Sequence, residues 1–162
     1  MKHRISLLFL VFCGSFSAGA LAHSVITPMS ATSGVKHQPF SLTAPTEGEI
    51  PCVKYRLEVP PEWKIAGGQI DRVEHDPLWD IAVERDEDGW ITSVTWSGSE
   101  APDYSFVRFN LIVSLPNLTG LQQIKIWQTY SDGSVVGWVE DRTGEDVAHP
   151  AAGLTLTAAA EQ

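Results

Sequence analysis

A histidine that begins a polypeptide is a chelator on its own, because its α-amine and its ring Nδ1 can close a ring on one metal ion. His23 is positioned to become such a terminus. Lys2 and Arg4 give a basic start, Ile5 to Phe12 an apolar run, and Ala20-Leu21-Ala22 a small-residue cleavage site, the pattern of a secretory signal over residues 1–22. A cut after Ala22 exposes the His23 amine. Cu(II) heads the divalent affinity order and suits nitrogen ligands, so it is the natural ion for such a pair. Ala18-Gly19-Ala20 is a second acceptable cleavage motif. A cut there gives Leu21-Ala22-His23, whose amine, two backbone amides and imidazole would close a square plane around Cu(II) and leave it little room to exchange. A histidine at position 23 can equally be incidental.

Other candidates for chemistry are sparse. His37, His75 and His149 stand at no metal-ligand spacing, and each reads as a surface residue unless the fold brings it to a site. Asp86-Glu87-Asp88 pairs carboxylates, but in a turn such a run is ordinarily solvated. No G-x-S-x-G elbow, P-loop, H-E-x-x-H or dinucleotide-binding glycine pattern is present, so hydrolytic and nucleotide chemistry has no sequence support. Cys13 lies in the signal and follows Phe12, where lipoprotein processing wants a small residue. Loss of residues 1–22 leaves Cys52 as the one thiol, which excludes an internal disulfide. In the strand-like Pro51-Cys52-Val53 it reads as a buried structural cysteine.

The elements that must position His23 belong to a chain of 140 residues, once 22 are removed from 162, which suffices for one domain with a real core. That chain, residues 23–162, carries 9 Lys and Arg against 20 Asp and Glu, a formal charge of −11. Such a surface repels nucleic acid and anionic membrane and attracts cations. No later apolar run reaches the roughly 20 residues a spanning helix needs, so no membrane span is expected after the signal. Turn residues punctuate the chain at short intervals, and between them lie segments of period-two alternation, the marks of an all-β antiparallel sandwich or barrel. Strands are expected over 24–27, 38–44, 53–59, 81–84, 90–97, 107–115, 122–130, 135–139 and 154–157. Asp86-Glu87-Asp88-Gly89 and Ser131-Asp132-Gly133-Ser134 are expected hairpin turns. Trp63, Trp79, Trp90, Trp96, Trp127 and Trp138 fill the core of such a sandwich unless a ligand face claims them.

Several segments resemble one family. Ala22-His23-Ser24-Val25-Ile26-Thr27-Pro28 resembles the processed start of YcnI-like (DUF1775) copper-binding proteins. Gln128-Thr129-Tyr130-Ser131-Asp132-Gly133-Ser134-Val135-Val136-Gly137-Trp138 resembles their Q-T-Y-S-D-G-x-V-x-x-W signature. Thr92 to Gly98 and His149-Pro150-Ala151 fit two further, shorter segments. The resemblance implies an immunoglobulin-like antiparallel β-sandwich, exported to the periplasm or cell exterior. It also implies Cu(II) held by a mono-histidine brace at His23, with Trp138 nearby and an acidic ligand. Ala44-Pro45-Thr46-Glu47 is similar to the family's V-P-N-E segment, which puts the acid at Glu47. At the family's other acidic position this chain has Arg108, and Asp103 is out of register. The family's frequent C-terminal membrane helix has no counterpart here, so the exported chain is expected to diffuse freely.

The resulting expectation is a non-enzymatic copper protein of trafficking or homeostasis, exchanging its ion with another extracytoplasmic copper carrier. One histidine and a carboxylate leave coordination positions open, and the free amine, with an ordinary pKa of about 8, must lose its proton to bind. A copper-dependent oxidase or monooxygenase using the same histidine would add a second one, His37 or His149. A structural immunoglobulin-like domain without metal is the third class. The intact mass of the exported protein discriminates the two cuts: it should match a chain beginning at His23, and a retained Leu-Ala pair would rule out the brace.

Overall fold

The computed structural model describes residues 23–46 and 49–160. The expected signal and Glu47 therefore lie outside the described residues. In chain order the described elements are β1 (Val25–Thr27), β2 (Ser30–Thr32), β3 (Gln38–Pro45), β4 (Cys52–Glu58), α1 (Pro61–Ile65), β5 (Gln69–Val73), β6 (Asp80–Arg85), β7 (Ile91–Ala101), β8 (Phe106–Ser114), β9 (Gly120–Tyr130), β10 (Val135–Trp138) and β11 (Ala152–Thr157). They form two sheets. The smaller runs β1-β3-β8-β5, and the larger runs β2-β11-β9-β4-β7-β6 with β10 also on β9. Every pairing of these strands is antiparallel except β2 with β11, which is parallel. The all-β sandwich expected from the alternation is what the chain forms.

Alternation puts one side of each strand into the space between the sheets. On β8 and just beyond it, Phe109, Leu111, Val113 and Leu115 are buried and Val107 half-buried. Phe109 joins the two layers. Its ring stacks on Trp96 of β7 with centroids 4.3 Å apart and meets Tyr55 of β4 and Trp79 edge-on at 5.4 and 5.6 Å. Trp63, Trp79, Trp96 and Trp138 are buried, as a sandwich core predicts, whereas Trp90 and Trp127 are half-buried. Trp90 donates its indole N–H to the Gly68 carbonyl, and the Arg56 guanidinium lies over Trp127. Cys52 is fully buried, as a structural cysteine is expected to be, with its thiol 3.3 Å from the Thr129 carbonyl, and burial pushes its pKa up.

Both Asp-Gly turns form. Gly89 and Gly133 adopt φ of 81° and 86°, which a glycine takes without Cβ strain. In the first, the carboxylates have structural work. Asp86 accepts the backbone N–H groups of Asp88 and Trp90, and Lys64 of α1 reaches both Asp86 and Asp88. The lysine holds the Asp86 carboxyl below its usual range.

Three elements lie outside the strands expected from sequence. β2 is three residues long and buries only part of Ala31. β5 is an edge strand with a register shift between Ile70 and Arg72, which breaks period two. α1 is a single turn opened by Pro60-Pro61, too short to show a helical period, and it inserts Trp63, whose indole N–H bonds to Gln122.

In the larger sheet a single edge of β9 is covered by two strands in succession, since β11 pairs with 120–124 and β10 with 126–129. The chain leaves that edge after Trp138 and rejoins it at Ala152. Because Phe109 carries the inter-sheet aromatic contacts, Phe109→Ala should cost about 3–5 kcal/mol of stability. Urea unfolding would measure this, and a loss under about 1.5 kcal/mol, well below that range, would show that the sheets do not depend on it.

Candidate metal centre

The Asp132-Gly133 turn fixes the register of the β9–β10 hairpin, setting Gln128 opposite Val136 and Trp138 opposite Ile126. Gln128 and Trp138 are then diagonal neighbours on the same inward face, and both are fully buried. A buried amide and a buried indole N–H must each find partners. The Trp138 Nε1–H donates to Gln128 Oε1, and Gln128 Nε2 donates to the Pro45 carbonyl at 2.6 Å. Pro45 ends β3 in the other sheet, so this chain of hydrogen bonds ties the two layers together. It also explains the spacing of the Gln128–Trp138 motif: the turn sets the register, and the register sets the pair.

His23 arrives at the same place from the other direction. β1 pairs Val25 with Thr43 and Ile26 with Leu42, and extending that register by two residues sets His23 alongside Pro45. The His23 ring lies edge-on to Trp138 with centroids 5.7 Å apart, and the residue is exposed. His23 and Trp138, singled out separately in the sequence, are brought together. Glu47 follows Pro45 by two residues but lies outside the described residues. Thr46, between them, is buried and its hydroxyl is 3.4 Å from the Tyr55 hydroxyl. Arg108 sits opposite Thr43 and is exposed, and Asp103 is exposed in the loop before β8.

His149 reads from sequence as a surface residue, and the structure places it at this site. Its ring meets Trp138 edge-on at 5.1 Å. The carbonyl of His149 accepts the backbone N–H groups of Val139 and Glu140, and its own N–H donates to the Glu140 carboxylate at 2.7 Å. The return loop is thereby stitched to the residues that directly follow Trp138. No local signal marks this: the motif His149-Pro150 gives no hint of a partner eleven residues back. His37 lies elsewhere, at the start of β3 and paired with Asp71 at 3.1 Å. His75 has no ring contact with the cluster.

The donor set fits a borderline metal in an open site. Among the described residues, neither the His23 nor the His149 ring nitrogens are engaged in a hydrogen bond, so both are available as ligands. The Ser24 hydroxyl, directly after His23, is fully buried and is the one buried side-chain polar atom without a partner among the described residues. A buried hydroxyl left unpaired costs free energy. No three His, Cys, Asp or Glu side chains gather into a closed cage among the described residues.

These elements define an immunoglobulin-like β-sandwich domain with an imidazole–indole–imidazole cluster at one end. In fold it is similar to a protein of Nocardia farcinica whose crystal structure reveals an immunoglobulin-like fold, with a TM-score of 0.70 and 27% identity over 83% of this chain and 97% of that one. The chain belongs to the family described as domain of unknown function DUF1775, whose sequence model matches residues 52–156, as the YcnI-like segments imply. The matched span holds Gln128, Trp138 and His149 but starts after His23 and Glu47. The chain is also similar to the copper-binding protein CutI of Bacillus subtilis (strain 168), with 26% identity over 142 residues that take in 86% of this chain and 66% of CutI. It thus spans just under two thirds of that relative's length.

Gln128→Leu removes both hydrogen bonds of the clamp and strands the Trp138 N–H and the Pro45 carbonyl in the core. The expected cost is about 1–3 kcal/mol for each group. Chemical denaturation would read it, and a variant within about 0.5 kcal/mol of the parent, the range of a neutral surface change, would show the clamp to be dispensable.

Proposed function

We propose that this chain is an exported, non-enzymatic copper-binding protein, and that it holds Cu(II) at a terminus made by removal of residues 1–22. In this reading the His23 amine and Nδ1 are the chelating pair, Glu47 supplies the carboxylate, and Trp138 is the indole edge-on to the ring. The observation that carries the reading is the contact of the His23 ring with Trp138, whose indole N–H is fixed through Gln128 to Pro45, two residues from Glu47. Similarity to a protein named for copper binding supports the choice of metal. So does the ordering of divalent ions on nitrogen ligands.

The chemistry of such a site is that of a carrier. A chelating histidine and one carboxylate leave the ion accessible to water and to a ligand from another protein. Such an open set suits exchange with a second copper carrier outside the cytoplasmic membrane, in copper trafficking or homeostasis. The amine must shed its proton to bind, so affinity declines as pH falls below about 8.

Titration of the processed protein with Cu(II) tests the site. Loss of groups that merely orient a metal ligand costs roughly 10–100-fold in affinity. Loss of the chelating imidazole in His23→Ala should therefore weaken Cu(II) binding by about a hundredfold or more. An unchanged affinity would overturn the brace, and a parent protein that binds no Cu(II) would overturn the copper reading altogether.

A further inference from the structure

We propose that His37, backed by the buried Asp71 carboxylate, is a second metal position, taking a divalent ion such as Cu(II) on its free Nε2. It is separate from the His23 centre and does not depend on it. β3 begins directly after His37 and ends at Pro45, beside His23. The two histidines therefore stand at opposite ends of the smaller sheet, roughly 25 Å apart at about 3.3 Å per residue.

Three strands supply the site. Extending the β3–β8 register by one residue sets His37 beside Ser114, whose partner on the other side is Gln69 of β5. β5 then shifts register between Ile70 and Arg72, and Asp71 is the extra residue. A bulge re-aims the side chain it inserts, and this one brings the Asp71 carboxylate back onto that row. The Ser114 hydroxyl donates to Asp71 Oδ2 at 2.8 Å, Gln69 Nε2 donates to Oδ1 at 2.8 Å, and His37 Nδ1 lies 3.1 Å from Oδ2. The carboxylate side chain is 4% exposed and the imidazole side chain 75%.

This pairing decides what the imidazole can do. A carboxylate on Nδ1 keeps the proton there, so neutral His37 carries its lone pair on Nε2. Nε2 has no partner among the described residues. Metal-binding histidines ordinarily have this arrangement, with one nitrogen on the ion and the other N–H on a carboxylate that fixes tautomer and ring orientation. His75, also exposed, has no ion pair or ring contact among the described residues. The backbone of His37 is set as well. Its φ of 57° lies in the left-handed region, uncommon for a residue with a side chain. The residues before it are pinned, Val35 by the Leu115 N–H on its carbonyl and Lys36 by its ammonium on the Gly67 carbonyl at 2.9 Å. Backbone strain held in place this way gathers at ligand sites. No third His, Cys, Asp or Glu completes a cage among the described residues, so water fills the other positions and the ion exchanges readily.

NMR of the His23→Ala form of the processed chain tests the site apart from the His23 centre. Cu(II) should broaden the His37 ring signals at a concentration roughly tenfold below that needed for His75. Asp71→Asn should raise the concentration needed at His37 about 10–100-fold, the effect of removing the carboxylate behind a metal-bound histidine. The His75 response should stay where it is. Equal broadening of His37 and His75 would make His37 an ordinary surface imidazole and overturn the inference, with no change at Asp71 required. An unchanged His37 response in a folded Asp71→Asn protein would overturn it too, leaving the pair only the role of joining β3 to β5. With His23 intact, the first equivalent of Cu(II) should reach His23 and the next His37. A first equivalent that broadens His37 and spares His23 would keep this site and overturn the brace, and no broadening at either would overturn both.

Discussion

Two β-sheets with no disulfide between them are held together by what their inner faces share, and at one end of this sandwich the shared element is a single amide. Gln128 takes the Trp138 indole N–H within the larger sheet and gives its own N–H to the Pro45 carbonyl of the smaller one. At zero exposure the amide has no recourse to water, so both bonds must form together or both groups are stranded. The indole and the end of β3 are tied together by that pairing. The aromatic packing around Phe109 joins the layers by area, which tolerates small shifts. The amide joins them by direction, which does not.

A directional clamp explains how an exposed, unrestrained residue such as His23 can have a defined surrounding. Apolar contact alone would leave the rim of the sandwich soft. Here the rim has a rigid indole edge, set by two hydrogen bonds, and rings that approach it gain a geometric preference worth about 0.5–1.5 kcal/mol for an aromatic pair. Around that edge stand two imidazoles. Such a group of donors is open toward solvent and fixed toward the core.

Strands with strict alternation, such as β8 and β9, are legible in the sequence because their buried faces impose period two on it. So are the turns at Gly89 and Gly133, where positive φ demands a particular residue. β5 is illegible because its register shift changes the phase in mid-strand, and β2 because three residues carry no period at all. Within the site, His23 is visible from its place after Ala22, and Trp138 from the resemblance of its hairpin. Gln128 stands in the same motif without a visible role, since its second partner, Pro45, is 83 residues away. For the same reason the sequence leaves His149 as one of two candidate second histidines, with nothing to choose it over His37. The neighbour of His149 is decided by how a loop folds back onto β10, and loop return is a tertiary event with no local pattern.

The succession of β10 and β11 along one edge of β9 sorts the chain into parts that can and cannot change length during evolution. Along 126–129 and 135–138 every residue is counted by the ladder, and one insertion there would turn the indole from the core to the solvent. Between Arg142 and His149 the chain is almost entirely exposed, and its two ends are tied to each other by the Val139 and Glu140 N–H groups on the His149 carbonyl. That loop can lengthen, shorten or diverge among relatives while the ring at its far end stays where it is.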